Sequence, residues 1–252
     1  MSSFPSNPYA SLCDDFYFNT HIQTEMELPS SRETVLHYFE QLQRRYPKMG
    51  HFYQRQPGEF ILEEDKSYGA YRWASVEQKR ISSGIVNPNS LEEAMEQHQQ
   101  ILEMVPYQLS VSRLDCASIS LVYGFDFHCN GNHNLVLAKT IGMPLALESM
   151  AARQGSFLMN FEPAIQISLD PMLQTHARVH FEPRTTLYEP RGTTENGQLL
   201  SAYVTITRFE SLAPEESFTE ELLRLHGLMR ELLDNHIADP ILRPLQNAIA
   251  TR

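Results

Sequence analysis

Residues 118–129, SISLVYGFDFHC, alternate without a break. Ile119, Leu121, Tyr123, Phe125 and Phe127 fall on one side, and Ser120, Gly124, Asp126 and His128 on the other. Successive side chains of an extended chain point to opposite faces, so a period of two marks a strand with one face in a core. Residues 16–28, FYFNTHIQTEMEL, repeat the pattern near the N-terminus. There Phe16, Phe18, Ile22, Met26 and Leu28 oppose Tyr17, Asn19, His21, Gln23, Glu25 and Glu27. Each strand opens a similar series of elements, which makes 118–129 the start of a second half.

After the first strand, Pro29 ends the extension, and Ser30 with Glu33 forms an S-x-x-E capping box that starts a helix. Val35, Phe39, Leu42 and Tyr46 give that helix its apolar stripe; Pro47 and Gly50 stop it. Short strands are expected at 52–55, 60–63, 68–76 and 80–86, the first pair joined by the Pro57-Gly58 turn. Tyr71 and Trp73 share a strand face and read as core. A second capping box, Ser90 and Glu93, opens a helix that Pro106 is expected to close. In the second half, helices are expected at 133–141 and after Pro144. Strands follow at 157–160, 164–169, 177–182 and 201–209, with a polar loop over 188–198. Ser217 and Glu220 begin a last long helix, and Pro240 starts a tail. Residues 1–11, rich in Ser, Pro and Asn, read as a loosely docked lead-in.

The expected fold is therefore α+β: two similar β-α-β(3-4)-α halves, 1–110 and 111–239, then a C-terminal tail, 240–252. The sheet is mostly antiparallel with helices packed on one face. This order resembles the duplicated β-α-β4-α unit of TBP-like folds, or a pair of helix-grip units. The resemblance is one of topology alone. Residue identities do not repeat, so an ancient duplication and the recurrence of a common α+β pattern both account for it. Fold likeness carries no function.

Charge narrows the partners. The formal net charge of −11 repels phosphate backbones, so neither nucleic acid nor an anionic membrane surface is expected as a partner. Three widely spaced cysteines, Cys13, Cys116 and Cys129, without a C-x-x-C, suit a reducing compartment better than a disulfide framework. The N-terminus has neither the basic nor the apolar region of a signal peptide, and no apolar run is long enough to span a bilayer. A cytoplasmic protein is the resulting expectation.

No G-x-S-x-G elbow, glycine-rich phosphate loop, H-E-x-x-H or EF-hand loop occurs, and no cofactor is expected. Glu25-x-Glu27 is similar to the opening of triphosphate-tunnel enzymes, but Pro29 stands where their lysine would. His128-Cys129-x3-His133 is the densest set of potential metal ligands. His128 and Cys129 are neighbours on a strand and point to opposite faces, so no metal site is expected there.

If helices cover one face of the sheet, the polar side chains gather on the other. His21 and Gln23 of the first strand, Asp126 and His128 of the central one, and Arg178, His180 and Glu182 of a later one meet there, with Arg72 placed beside them. Tyr68, Tyr71, Trp73, Tyr123 and Tyr203 are candidate pocket walls. The leading functional expectation is a non-enzymatic binding or interaction module. It holds a small polar ligand, a peptide or a protein on this face or in the groove between halves. The alternative is a small-molecule enzyme using general acid–base chemistry through Asp126/His128 or His180/Glu182. A third reading makes the face a homodimer interface.

Overall fold

A computed structural model describes residues 7–183 and 199–251. The polar loop expected at 188–198 and the first residues of the lead-in lie outside the described residues. Among the described residues the protein is α+β, built on one antiparallel sheet of nine strands. These are β1 (Asp15–Thr24), β2 (His51–Gln56), β3 (Glu59–Glu63), β4 (Tyr71–Val76), β5 (Arg80–Val86), β6 (Cys116–His128), β7 (Ala164–Ser168), β8 (Thr175–Pro183) and β9 (Leu199–Phe209). They lie in the order β2-β3-β4-β5-β1-β6-β9-β8-β7, open at both edges.

The two alternating stretches are the central pair. Phe16 faces Phe125, and Phe18 faces Tyr123, across β1 and β6. Their rings meet at a tilt, at 5.4 and 4.6 Å between centroids. All four are at most 1% exposed. Such pairs bring an energy of their own, about 0.5–1.5 kcal/mol beyond the area they bury. One extra residue, Ala117, bulges the ladder near its end, where Gln23 pairs with Ser118 and Thr24 with Cys116.

Helices α1 (Arg32–Arg45), α2 (Leu91–Gln108) and α5 (Phe218–Leu232) bring their apolar stripes to the same core. Val35, Tyr38, Phe39 and Leu42 are the buried residues of α1; Leu222, Leu225 and Met229 do this for α5. Helices α3 (His133–Thr140) and α4 (Leu145–Ala151) follow β6; α4 buries none of its residues. No helix among the described residues is long and apolar enough to cross a membrane.

Caps behave as their chemistry requires, with one shift. Ser217 and Glu220 form the full reciprocal box. Ser90 accepts from the Glu93 amide, but the Glu93 carboxylate turns away to the Asn89 amide and to Arg72. The first helix is capped by Ser31 through the Thr34 amide, one residue later than expected.

Four expectations are corrected. Pro106 does not close α2, which runs on to Gln108 with the proline inside. Pro240 does not start a tail either. It sits in a π-helical stretch, Leu233–Leu242, that continues α5 into α6 (Arg243–Ala250). Proline has no amide to donate, and a widened turn accommodates its ring. Residues 157–160 are not a strand. The carbonyls of Leu158 and Met159 accept from the side chains of Asn132 and Asn134, so no ladder is needed. The lead-in is docked where described: Tyr9 is buried, packs 6.0 Å from Tyr123 and donates to Asp234 at 2.8 Å.

One polar network lies wholly inside the core. His98 of α2 has Nε2 3.1 Å from the Phe18 carbonyl, which fixes that nitrogen as the donor. Its Nδ1 therefore accepts from the Ser83 hydroxyl at 2.8 Å, and Ser83 accepts in turn from Gln97. Burial, helped by the nearby His21 and His226, pushes the pKa of His98 down to about 3. The unfolded chain protonates this imidazole near 6.5. Stability is thus complete above pH 6.5 and falls as the pH drops from there toward 3, by about 1.4 kcal/mol per pH unit. Urea unfolding at pH 7 and pH 5 is expected to differ by about 2 kcal/mol from this residue alone. If the slope is unchanged in His98→Gln, the acid sensitivity lies elsewhere.

Candidate functional site: the helix-free face of the sheet

Alternation commits the second face of the sheet as firmly as the first. In β1 the helix-side residues are buried while Tyr17, Asn19, His21 and Gln23 are half-buried. Registers across the ladders then set which side chains are neighbours. One row reads Tyr71, Val86, Tyr17, Gly124, Tyr203, His180. The next reads Trp73, Gly84, Asn19, Val122, Thr205, Arg178. A third holds Ser75, Ser82, His21, Ser120, Thr207 and His176. A shorter row at the opposite end holds Asp15, Asp126, Ser201 and Glu182.

Two glycines shape the surface. A side chain at Gly84 would overlap the Trp73 indole and the Asn19 side chain, so only glycine lets them lie against the sheet. At Gly124 an added Cβ would come within 3.0 Å of the Tyr17 ring and 3.1 Å of the Tyr203 ring.

Over β1, β4 and β5 a concavity of about 260 Å³ opens, walled by Tyr17, Tyr53, Tyr71 and Trp73. Its charges are matched: Lys66 pairs with Glu63 at 2.9 Å, Arg80 with Glu77 at 2.7 Å, and Arg55 with Glu59. The Asn19 Oδ1 there is buried and has no partner. Tyr71 and Trp73 are therefore walls of this hollow, not core. Tyr68 is 82% exposed and Tyr123 is buried under the helices; neither lines it.

At the other end, Asp126 is 2% exposed although it points away from the helices. Tyr17 donates to its Oδ2 at 2.6 Å, and burial, with the carboxylate's help, pushes the Tyr17 phenol well above its ordinary range. Asp126 Oδ1 and the Ser201 hydroxyl have no partner, although Ser201 is fully buried. The His180 ring stacks on Tyr203 at 5.1 Å, with Nε2 3.6 Å from Glu182 and Nδ1 unpartnered. Burial and the neighbouring Arg178 lower its pKa.

The residues picked from the sequence divide accordingly. Asp126, Arg178, His180 and Glu182 lie at one end of the face, and His21 and Gln23 lie further along β1. His21 is held by Ser82 at 2.9 Å, and burial lowers its pKa to about 4. His128 does not pair with Asp126; it is exposed and lies 3.4 Å from Asp14. Arg72 is on the helix face, where it meets Glu64 and Glu93 and lies over the Tyr46 ring at 5.2 Å. Its strand neighbours Tyr71 and Trp73 had to point the other way.

Sequence reasoning passed over Tyr17, Asn19, Gly84, Gly124 and Ser201. Gly124 was the available signal, a gap on the polar side of an otherwise continuous alternation.

No group of three or more histidine, cysteine or acidic side chains is placed to hold a metal among the described residues. The Cys116 thiol is pushed up to about 12 by burial, and Cys129 is buried, so neither is a ready nucleophile. The chain matches no family model, and no curated protein matches it in sequence.

Tyr17→Phe removes a donor from a buried carboxylate and is expected to cost about 1–3 kcal/mol, read from urea unfolding. A loss below the error of that measurement would mean the Asp126 carboxylate is solvated some other way.

Proposed function

We propose that the protein is a binding module that holds a small polar ligand on the helix-free face of its sheet. The observation that carries this reading is the hollow beside Trp73. A sheet face left to water has no reason to keep glycine under an indole, or to bury an amide oxygen without a partner. At about 30 Å³ per water, the hollow has room for roughly nine waters, the scale of a small molecule rather than a peptide. Its matched charges favour a neutral or zwitterionic polar molecule over a polyanion, and the net charge of −11 argues the same against nucleic acid.

A second reading, an acid–base enzyme, keeps one of its two pairs. His180 and Glu182 are within reach of each other, whereas Asp126 and His128 are engaged separately. A shared origin of the two halves is supported by the strand order, which runs outward as 1-5-4-3-2 on one side and 6-9-8-7 on the other. The TBP-like comparison rests on the order of elements along the chain, β-α-β4-α in the first half. Three free cysteines favour a reducing, cytoplasmic setting.

Trp73 is the only tryptophan, so its emission reports directly on the hollow. Screening small polar molecules by Trp73 fluorescence is expected to yield saturable ligands whose affinity falls at least about tenfold in Asn19→Leu and Tyr71→Ala. Ligands that bind without disturbing Trp73, or that bind both variants unchanged, would remove the hollow as the site. A dimer in light scattering with this face protected would replace the ligand with a second copy.

A further inference from the structure

We propose a second subsite on the same face, adjoining the hollow at Tyr17: a pocket for an organic cation, a primary ammonium or guanidinium group, between Tyr17 and Tyr203 with Asp126 as its counter-charge. The inference rests on the helix-free face being the ligand-bearing surface. It does not depend on what occupies the hollow beside Trp73.

The strongest evidence is polar atoms left without partners where water is nearly excluded. Asp126 is 2% exposed and Ser201 fully buried, and the two sit directly opposite each other on β6 and β9. Tyr17 satisfies only Oδ2 of the carboxylate; Oδ1 and the Ser201 Oγ are open. A buried charge persists only where something pairs with it. No lysine, arginine or histidine pairs with Asp126 among the described residues. The site thus offers an acceptor pair, a carboxylate oxygen and a hydroxyl, for which the described residues supply no donor.

The surroundings choose the class of donor. An anion is disfavoured, because Asp15 and Glu182 lie in the same row as Asp126. A bare metal ion is disfavoured too, because no three ligating side chains converge. What lies alongside instead is aromatic. The Tyr17 and Tyr203 rings both lie against Gly124, and His180 stacks against Tyr203 from the β8 side. Tyrosine faces attract ammonium and guanidinium through the ring quadrupole, most strongly where water is scarce. Two rings beside one carboxylate and one hydroxyl therefore suit a compact, weakly hydrated organic cation with several N–H donors. Gly124 is what makes room, since any Cβ there intrudes between the rings.

The test is calorimetric titration of the full chain with n-butylammonium and butylguanidinium, using 1-butanol and butyrate as size-matched neutral and anionic controls. Saturable one-to-one binding of at least one cation, and of neither control, is expected. Asp126→Asn keeps an acceptor for Tyr17 but removes the charge, and is expected to weaken cation binding at least about tenfold. Gly124→Ala crowds the rings without touching a charge and is expected to weaken it as well; it decides the matter if Asp126→Asn does not fold. Absence of saturable cation binding in the tens of millimolar range overturns the proposal, as does equal binding by 1-butanol. Unchanged affinity in both variants does the same. Trp73 emission is followed in the same titrations. Binding that leaves it unchanged assigns the cation to the Asp126 pocket, whether or not any ligand is found for the neighbouring hollow. An emission change that persists in Asp126→Asn places the cation in the hollow and overturns the assignment.

Discussion

The pairing of β1 with β6 is the constraint on which the rest of the molecule depends. These strands come from the start and the middle of the sequence, with Asp15 set against Asp126, yet they form the centre of the sheet. Closing so long a loop costs entropy that local contacts cannot repay. The repayment is concentrated in one place: Phe16, Phe18, Tyr123 and Phe125 interlock on the helix side, each nearly or fully buried. Burying such a side chain contributes about 1.5–3 kcal/mol. Tyr9, His98 and His226 then pack on that cluster, so the N-terminal segment and helices α2 and α5 are all oriented by it.

The same pairing sets what the opposite face looks like. A one-residue slip would move every side chain of β1 to the other side, so register and site are one decision. Tyr17 lies beside Gly124 because Phe16 lies beside Phe125, and Asp126 stands next to Ser201 because Phe125 lies beside Ala202. The aromatic core is therefore also the alignment device for Asp126 and Tyr17. Asn87 extends this at the strand end: its side chain accepts from the Phe16 amide and donates to Asp15, fixing where β1 begins.

Much of this was legible because it rests on local periodicity. The alternation of 118–129 placed Tyr123, Phe125 and Phe127 under the helices and Asp126 away from them, and the structure agrees. The Ser217 box and the Pro57-Gly58 turn are equally local. What was hidden depends on partners distant in sequence. Arg72 looked like a site residue until its strand register turned it toward Glu64 and Glu93. The turn-back of 157–160 depends on asparagines twenty-five or more residues earlier. Pro106 and Pro240 were read as stops because a proline costs a local hydrogen bond, but packing on both sides of each outweighs that cost. Ser201 gave no signal, since a serine in a strand is ordinary until its neighbour across the ladder is a buried carboxylate.

Buried polar atoms without a partner occur on both faces of the sheet, and what marks the helix-free face is where they gather. On the helix side, the His98 imidazole and the Ser83 hydroxyl have a partner at every site, whereas Gln97 Oε1 and the Tyr38 and Tyr123 hydroxyls are buried without one. Full satisfaction is what stability demands of a buried network. On the helix-free side, Asn19, Asp126, Ser201 and His180 each keep one atom unpartnered. Packing alone would have replaced them with valine or threonine, as at Val122 and Thr205 in the same row as Asn19. Retaining four incomplete polar groups around two glycines and two tyrosines lowers stability, and the natural reason for tolerating that cost is a partner that completes them.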